Sequence, residues 1–337
     1  MSLLNQMDLD AYSAAHRAEW DRLAALGAQR SLTGAQADEL IARYQSGATQ
    51  LSAIKTTAGS TLQGDRLSVA LSRARLRFTG ASANVMAQIP RFFVLQLPAA
   101  LYRLRWITLV VALVTFLVAG LYTVWALGNP QVLANFGSDE QLAQLANHDF
   151  VDYYSSNPAA SFAGQVWTNN ALIAAQCIAF GILGVYVPYI VLQNAQNLGV
   201  NAAVMFAYDH GDVFFLYILP HGLLELTAIF VAAAGGLRIF WAWIAPGART
   251  RGQALAEDAR ALFTVAIGLV FVLLVSGIIE GFVTPAPWPW PIKIGIGALA
   301  LLLFLVYMLV VGKRATRLGE TGDLSEFEAG ARRIYAS

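Results

Sequence analysis

Residues 106–127 read WITLVVALVTFLVAGLYTVWAL, a run without a single Asp, Glu, Lys or Arg, and Arg103 and Arg105 stand directly before it. About 20 apolar residues in helical form cross the ~30 Å of hydrocarbon in a bilayer, so this run reads as a membrane-spanning helix. Four further apolar stretches, near 166–193, 213–237, 263–283 and 292–312, read the same way. Composition agrees: 57% of the 337 residues are hydrophobic and 13% charged, and the mean hydropathy is +0.54. Ordinary soluble domains carry about 25% charged residues, so too little charge remains to coat a water-soluble globule. The 22 basic and 21 acidic residues nearly cancel and point to no nucleic-acid partner. The single cysteine, Cys177, lies in an apolar run and reads as a buried thiol, which leaves no internal disulfide.

The fold class expected is all-α: a polytopic membrane helix bundle of five long spans plus one irregular or re-entrant segment, preceded by a soluble helical bundle and an interfacial elbow. Residues 1–89 form the helical domain. Leu9, Tyr12, His16, Trp20 and Leu23 share one helix face by their spacing. Thr33-x-x-Gln36 is a capping box opening a second helix with Leu40, Tyr44, Ala48 and Leu51 on one side. A third, from about Asp65 to Phe78, sets Leu67, Leu71 and Phe78 among Arg66, Arg73, Arg75 and Arg77, a face suited to anionic headgroups or a partner protein. Residues 90–105, apolar and broken by Pro90 and Pro98, read as the elbow. The transmembrane domain is 106–312 and the tail 313–337.

Orientation follows from the basic residues. The segment up to Arg105, the 238–262 loop (Arg238, Arg249, Arg251, Arg260) and the tail (Lys313, Arg314, Arg317, Arg332, Arg333) belong on the cytoplasmic side of the plasma membrane. The 128–165 loop, with Asp139, Glu140, Asp149 and Asp152, and the uncharged 284–291 loop belong outside. A cytoplasmic N-terminus and tail require an even number of crossings. Residues 188–210, interrupted by Pro188, Asn194, Asn197, Gly199 and Asn201, supply an irregular sixth crossing or a re-entrant loop.

Polar residues inside the spans carry the functional question. His221 and Glu225, four apart, stack on one helix face, and a carboxylate at that depth costs about 2.5–3.5 kcal/mol on insertion scales. Glu280 near the end of the next span, and Asn169 and Asn170 at the outer start of the second, fall at a similar depth, so the five are expected to meet in one pocket. Asp209, His210 and Asp212 form a secondary polar cluster. Three readings of the main cluster compete. It is a hydrogen-bonded network joining helices, a proton or cation path of a transporter or channel, or a metal centre of a membrane hydrolase with His221, Glu225 and Glu280 as ligands. No catalytic residue is assigned. The chain lacks a Gly-rich phosphate loop, a serine nucleophile elbow and a dinucleotide fingerprint, so the sequence names no cofactor. Glycines such as Gly235, Gly236, Gly277, Gly281, Gly181 and Gly184 read as close helix packing, within the chain or in a homo-oligomer.

The segment Pro220-His221-Gly222-x-x-Glu225-Leu226-x-Ala228-Ile229, followed by Gly235-Gly236-Leu237, resembles the signature of the stage II sporulation protein M family. Asn169-Asn170, Glu280-Gly281-Phe282-Val283-Thr284-Pro285 and the N-terminal Asp8-Leu9-Asp10, His16, Trp20 and Leu23 add to the resemblance. It implies a membrane scaffold: the named member anchors two peptidoglycan-degrading proteins during engulfment and is not itself the hydrolase. The present chain differs from the short sporulation form by its N-terminal helical domain. The resulting expectation is a scaffold or partner-recruiting protein of the cell envelope, in contact with membrane lipids and protein partners.

Overall fold

A computed structural model describes residues 9–29, 31–58, 61–78, 89–155 and 157–322, and every regular element among them is helical. Two compact units divide the described chain, one before residue 90 and one from Pro90 onward. Asp8, Arg332, Arg333 and the tail beyond residue 322 lie outside the described residues.

The first unit packs α1 (Leu9–Ala28), α2 (Gly34–Ala58) and α3 (Leu62–Phe78) around Leu23, Leu26, Leu40, Ile54, Leu67 and Leu71. The capping box at Thr33 is present: its backbone N–H donates to Gln36 Oε1 at 2.9 Å, and the Gln36 N–H donates to Thr33 Oγ1 at 3.4 Å. On α2 it is Gly47, not Ala48, that turns inward, so the buried stripe runs 40, 44, 47, 51, 54 in alternating steps of four and three. Arg66, Arg73 and Arg75 are exposed on α3. Arg22 reaches both oxygens of Glu39, at 3.1 and 2.7 Å, and Arg43 reaches Oε1 at 2.8 Å. The hydrogen bond from Arg22, then that from Arg43, draws the Glu39 carboxyl down to about 2.

The second unit contains six long helices. Four are long and apolar enough to cross a membrane: α4 (Ile89–Gly128), α9 (Gly211–Ile244), α10 (Arg251–Val283) and α11 (Trp290–Arg317). Two others, α7 (Ala159–Ala179) and α8 (Tyr186–Ala207), have 21 and 22 residues and more polar sequences. Between α4 and α7 lie α5 (Pro130–Ala134) and α6 (Asp139–Gln144). Large apolar side chains on α4 point outward, among them Leu113, Leu117, Leu121 and Val124, the last 71% exposed, as a lipid-facing surface requires.

Three expectations change here. Residues 90–105 are the first turns of the 40-residue α4, with a π turn at Phe92–Gln96, and not a separate elbow. Pro98 sits in the first turn after that bulge, where a missing N–H is tolerated. The stretch 166–193 is not one helix. It breaks at 180–185, where Gly184 adopts φ +70°, a region open to glycine, and a β-carbon there would collide with the Phe240 ring. Residues 188–210 are then regular: Pro188 occupies the first turn of α8, and the asparagines serve their own helix. Asn194 Nδ2 donates to the Ile190 carbonyl at 2.9 Å and Asn201 Nδ2 to the Asn197 carbonyl at 2.8 Å. Irregular backbone therefore lies before Pro188, at 180–185, and not among the polar residues. The expected five long spans plus one irregular segment become four strongly apolar helices and two shorter, more polar ones.

Cross-helix contacts fix the directions. Gly281 and Gly277 of α10 face the carbonyls of Ala159 and Ala163 of α7, so those helices are antiparallel. Phe206 meets Phe214, and Val187 packs at Gly236, so α8 opposes α9. Phe116 meets Phe230 while Ala100 and Leu104 lie beside Gly235, so α4 opposes α9 as well. Gly297, early in α11, abuts Pro220, early in α9, and Gly312, late in α11, abuts Pro98, early in α4, so α11 runs with α9 and opposes α4. Helices α4, α8 and α10 thus run one way and α7, α9 and α11 the other. A β-carbon at Gly236 would overlap the Cys177 carbonyl, so this backbone crossing admits only glycine. Cys177 itself is fully buried and free, as its setting implies.

Candidate functional site

The polar centre forms near the end of the bundle where α9 begins. Pro220 lacks the N–H that would close the helical bond to residue 216, and a β-carbon at Gly297 would overlap the Pro220 carbonyl, so α11 approaches α9 here at backbone distance. The next residue, His221, is buried, and Glu225 one turn on is partly buried. Glu280 reaches them from α10, inside the π turn Ile279–Val283 that the Thr284 N–H closes onto the Ile279 carbonyl at 3.0 Å. Such bulges widen a helix by one residue and re-aim its side chains, often at functional sites.

One donor atom from each of His221, Glu225 and Glu280 lies within 4.8 Å of the other two. His221 Nε2 is 3.8 Å from Glu280 Oε1, and Nδ1 is 3.3 Å from Thr284 Oγ1. Ser276 Oγ lies 3.3 Å from Glu225 Oε2 and 3.2 Å from the His221 carbonyl. Asn170 on α7 and the Glu280 carboxyl both lie within reach of Glu225, and Asn169 Nδ2 donates to Asn170 Oδ1 at 3.5 Å. Glu280 Oε2 is buried with no hydrogen-bond partner among the described residues. The Tyr154 ring covers His221 with centroids 5.8 Å apart. Lys293, buried on α11, donates to the Thr284 carbonyl at 2.7 Å and lies 5.7 Å above the Tyr217 ring.

The structure therefore brings together four of the five residues expected in the pocket. Asn169 is exposed and acts only through Asn170. Asp209, His210 and Asp212 lie together at the junction of α8 and α9. Asp209 takes φ +61° in the α8–α9 turn, Asp212 is exposed, and His210 Nε2 lies 2.9 Å from Asn147 Oδ1. With Tyr208, whose hydroxyl donates to Asp139 Oδ1 at 2.6 Å, this turn fastens the segment that overlies it. Sequence reasoning missed Tyr154, Ser276, Thr284 and Lys293. Only Lys293, a charge inside an apolar run, left a readable signal.

A second ionic centre sits toward the opposite end. Asp258 is buried, with Arg103 and Arg238 at 3.3 and 3.4 Å from Oδ1 and Arg249 at 3.6 Å from Oδ2. It ties α4, α9 and α10 together. The 238–262 loop expected from the sequence is mostly helix, since α9 runs to Ile244 and α10 starts at Arg251.

Comparison with known proteins gives a family and few relatives. The family model described as stage II sporulation protein M matches residues 108–285, a little over half of the chain, and a domain of unknown function matches residues 10–80. An uncharacterized protein of Methanocaldococcus jannaschii is 28% identical over 126 residues, 35% of this chain and 54% of that protein. The chain thus spans about half the length of this relative. No solved structure matches.

Proposed function

The chain belongs to the stage II sporulation protein M family, and from that membership we propose a multi-pass scaffold of the cell envelope that recruits partner proteins to the membrane. The observation that carries this reading is the segment 130–155. It is folded, with a core of Leu133, Leu142, Ala146, Phe150 and Tyr154 set on Phe162, Met205 and Phe214 of the bundle. A loose connection would bury little; this one holds a fixed surface on which Asp139, Glu140, Asp149 and Asp152 are exposed beside Phe136 and Tyr153. Acidic groups around exposed aromatics suit a partner with a basic surface. Arg91, Arg103, Arg238, Arg249, Arg251 and Lys313 gather at the other end of the bundle, which supports a cytoplasmic setting for that end and an outer one for the acidic segment. Six helices of alternating direction agree with both termini being cytoplasmic.

Site-specific photo-crosslinking from Glu140 and Asp149 in native membranes tests this. The scaffold reading expects a discrete adduct that disappears when the four acidic residues become Asn, with thermal unfolding unchanged. Absence of any adduct from either position contradicts it. The alternative reading as a transporter or channel draws on the orphaned Glu280 oxygen inside the bundle. It expects flux in proteoliposomes that Glu225→Gln abolishes in a folded protein.

A further inference from the structure

We propose that His221, Glu225 and Glu280 bind one divalent first-row transition metal ion, with Thr284, Ser276 and Asn170 orienting the ligands. This site is independent of the scaffold reading.

The hydrogen-bond network assigns the histidine tautomer. Thr284 Oγ1 donates to the Ile279 carbonyl at 3.4 Å, so toward His221 it is an acceptor, and the ring proton sits on Nδ1 at 3.3 Å. Nε2 then presents a lone pair to Glu280 Oε1 at 3.8 Å. Two acceptors facing each other in a buried space repel unless a proton or a metal cation stands between them, and 3.8 Å is too long for a hydrogen bond. Glu280 Oε2 is orphaned beside them, on a residue only 4% exposed. Such a group carries its full desolvation penalty.

Charge points the same way. Among the described residues no Lys or Arg pairs with Glu225 or Glu280; Lys293, the nearest candidate in the sequence, is turned to the Thr284 carbonyl and the Tyr217 ring. A divalent ion matches two carboxylates, and it fits the donor set. Imidazole with carboxylates suits zinc, iron(II) and manganese(II), whereas calcium and magnesium take all-oxygen shells. Metal–ligand bonds of about 2.0–2.2 Å put neighbouring donors ~3.4 Å apart, so the observed spacings of up to 4.8 Å need to contract by up to ~1.4 Å, within the reach of glutamate side-chain rotation. The Nδ1–H···Thr284 bond is the outer support that metal-bound histidines use. Three protein ligands leave a coordination position open.

The test uses the full chain in nanodiscs, freed of any affinity tag and stripped with chelator, then titrated with Zn²⁺ and with Mn²⁺. Uptake is read by elemental analysis and calorimetry, and thermal unfolding is followed with and without metal. The proposal expects stoichiometric uptake of at least one of the two ions and a higher unfolding temperature on loading. Thr284→Val should weaken binding about 10–100-fold, and His221→Asn and Glu280→Gln at least as much. Unfolding temperatures of the metal-free variants show that they fold. Wild-type protein that takes up neither ion overturns the proposal without recourse to any variant. So does uptake that Glu280→Gln and Thr284→Val leave unchanged, or an infrared band of a protonated carboxyl, lost in Glu280→Gln, in wild-type protein that binds no metal. The crosslinking result from Glu140 and Asp149 is unaffected by any of these outcomes.

Discussion

The two ends of the membrane bundle hold opposite electrostatic arrangements. Around Asp258, three arginines converge on one carboxylate, each still about a third exposed, so positive charge is in excess and every carboxylate oxygen has a cation within 3.6 Å. Around His221, two carboxylates meet one imidazole, and Glu280 Oε2 has no hydrogen-bond partner among the described residues. The first arrangement joins helices: its Oδ2 also lacks a hydrogen bond, but Arg249 stands 3.6 Å from it and balances its charge. The second has a deficit that no side chain nearby fills, which is the physical difference between an ionic staple and a binding centre.

Substitutions at the two ends should therefore have effects of opposite sign. The largest loss is expected for Asp258→Asn, which leaves three guanidinium groups facing one another. Removing one partner of a buried pair costs about 3–5 kcal/mol, and the partial exposure of the arginines lowers this to roughly 2–3 kcal/mol. Thermal unfolding of the full chain in detergent reads it as a clear fall in midpoint; an unchanged midpoint would make the two ends alike. Glu280→Gln, measured the same way without metal, should raise the midpoint or leave it unchanged, since it replaces a buried carboxyl whose Oε2 has no hydrogen-bond partner, a deficit worth about 1–3 kcal/mol. A large destabilisation there would show that the cluster is a completed network.

Ser276→Ala sharpens the contrast on a smaller scale. It takes one donor from Glu225 and should cost about 1 kcal/mol by itself. Combined with Glu280→Gln the two effects should not add, because both act on one carboxylate pair.

The smallest effect belongs to the first unit. The Glu39 carboxyl is held at about 2 by Arg22 and then Arg43, below its ordinary value near 4.5. The sign is that of a depressed acid. Its contribution is present above the unfolded value and is lost as pH falls from about 4.5 through 2. Glu39→Gln should flatten that part of the pH profile of α1–α3 unfolding, and an identical profile in the variant would refute the assignment.

The legible and illegible parts of the molecule divide on physical lines. Apolar runs without charge revealed α4, α9, α10 and α11, because nothing but lipid or a core accommodates them. The four-residue spacing of His221 and Glu225, and the isolated charge of Glu280, revealed the centre, because intramembrane ionisable groups are rare. The break at 180–185 was not legible: its glycines serve backbone approach at Gly236 and Phe240, contacts some fifty residues away. The asparagines of α8 misled in the other direction, since bonds to carbonyls four residues back satisfy them within a regular helix. Ser276 and Thr284 carry no signal of their own, because hydroxyl residues sit in any helix by bonding its backbone, as Thr115 and Thr123 do. The π turns at Phe92–Gln96 and Ile279–Val283 depend on packing that local sequence does not encode.

The most direct test of the contrast between the two ends is a cryo-EM structure of the chain in nanodiscs, determined once after chelator treatment and once after zinc loading. The account predicts a new density peak within bonding distance of His221 Nε2 and one oxygen each of Glu225 and Glu280 in the loaded sample, with the Asp258 centre identical in both. Maps without that peak, in which the two carboxylates close on a shared proton, would contradict it.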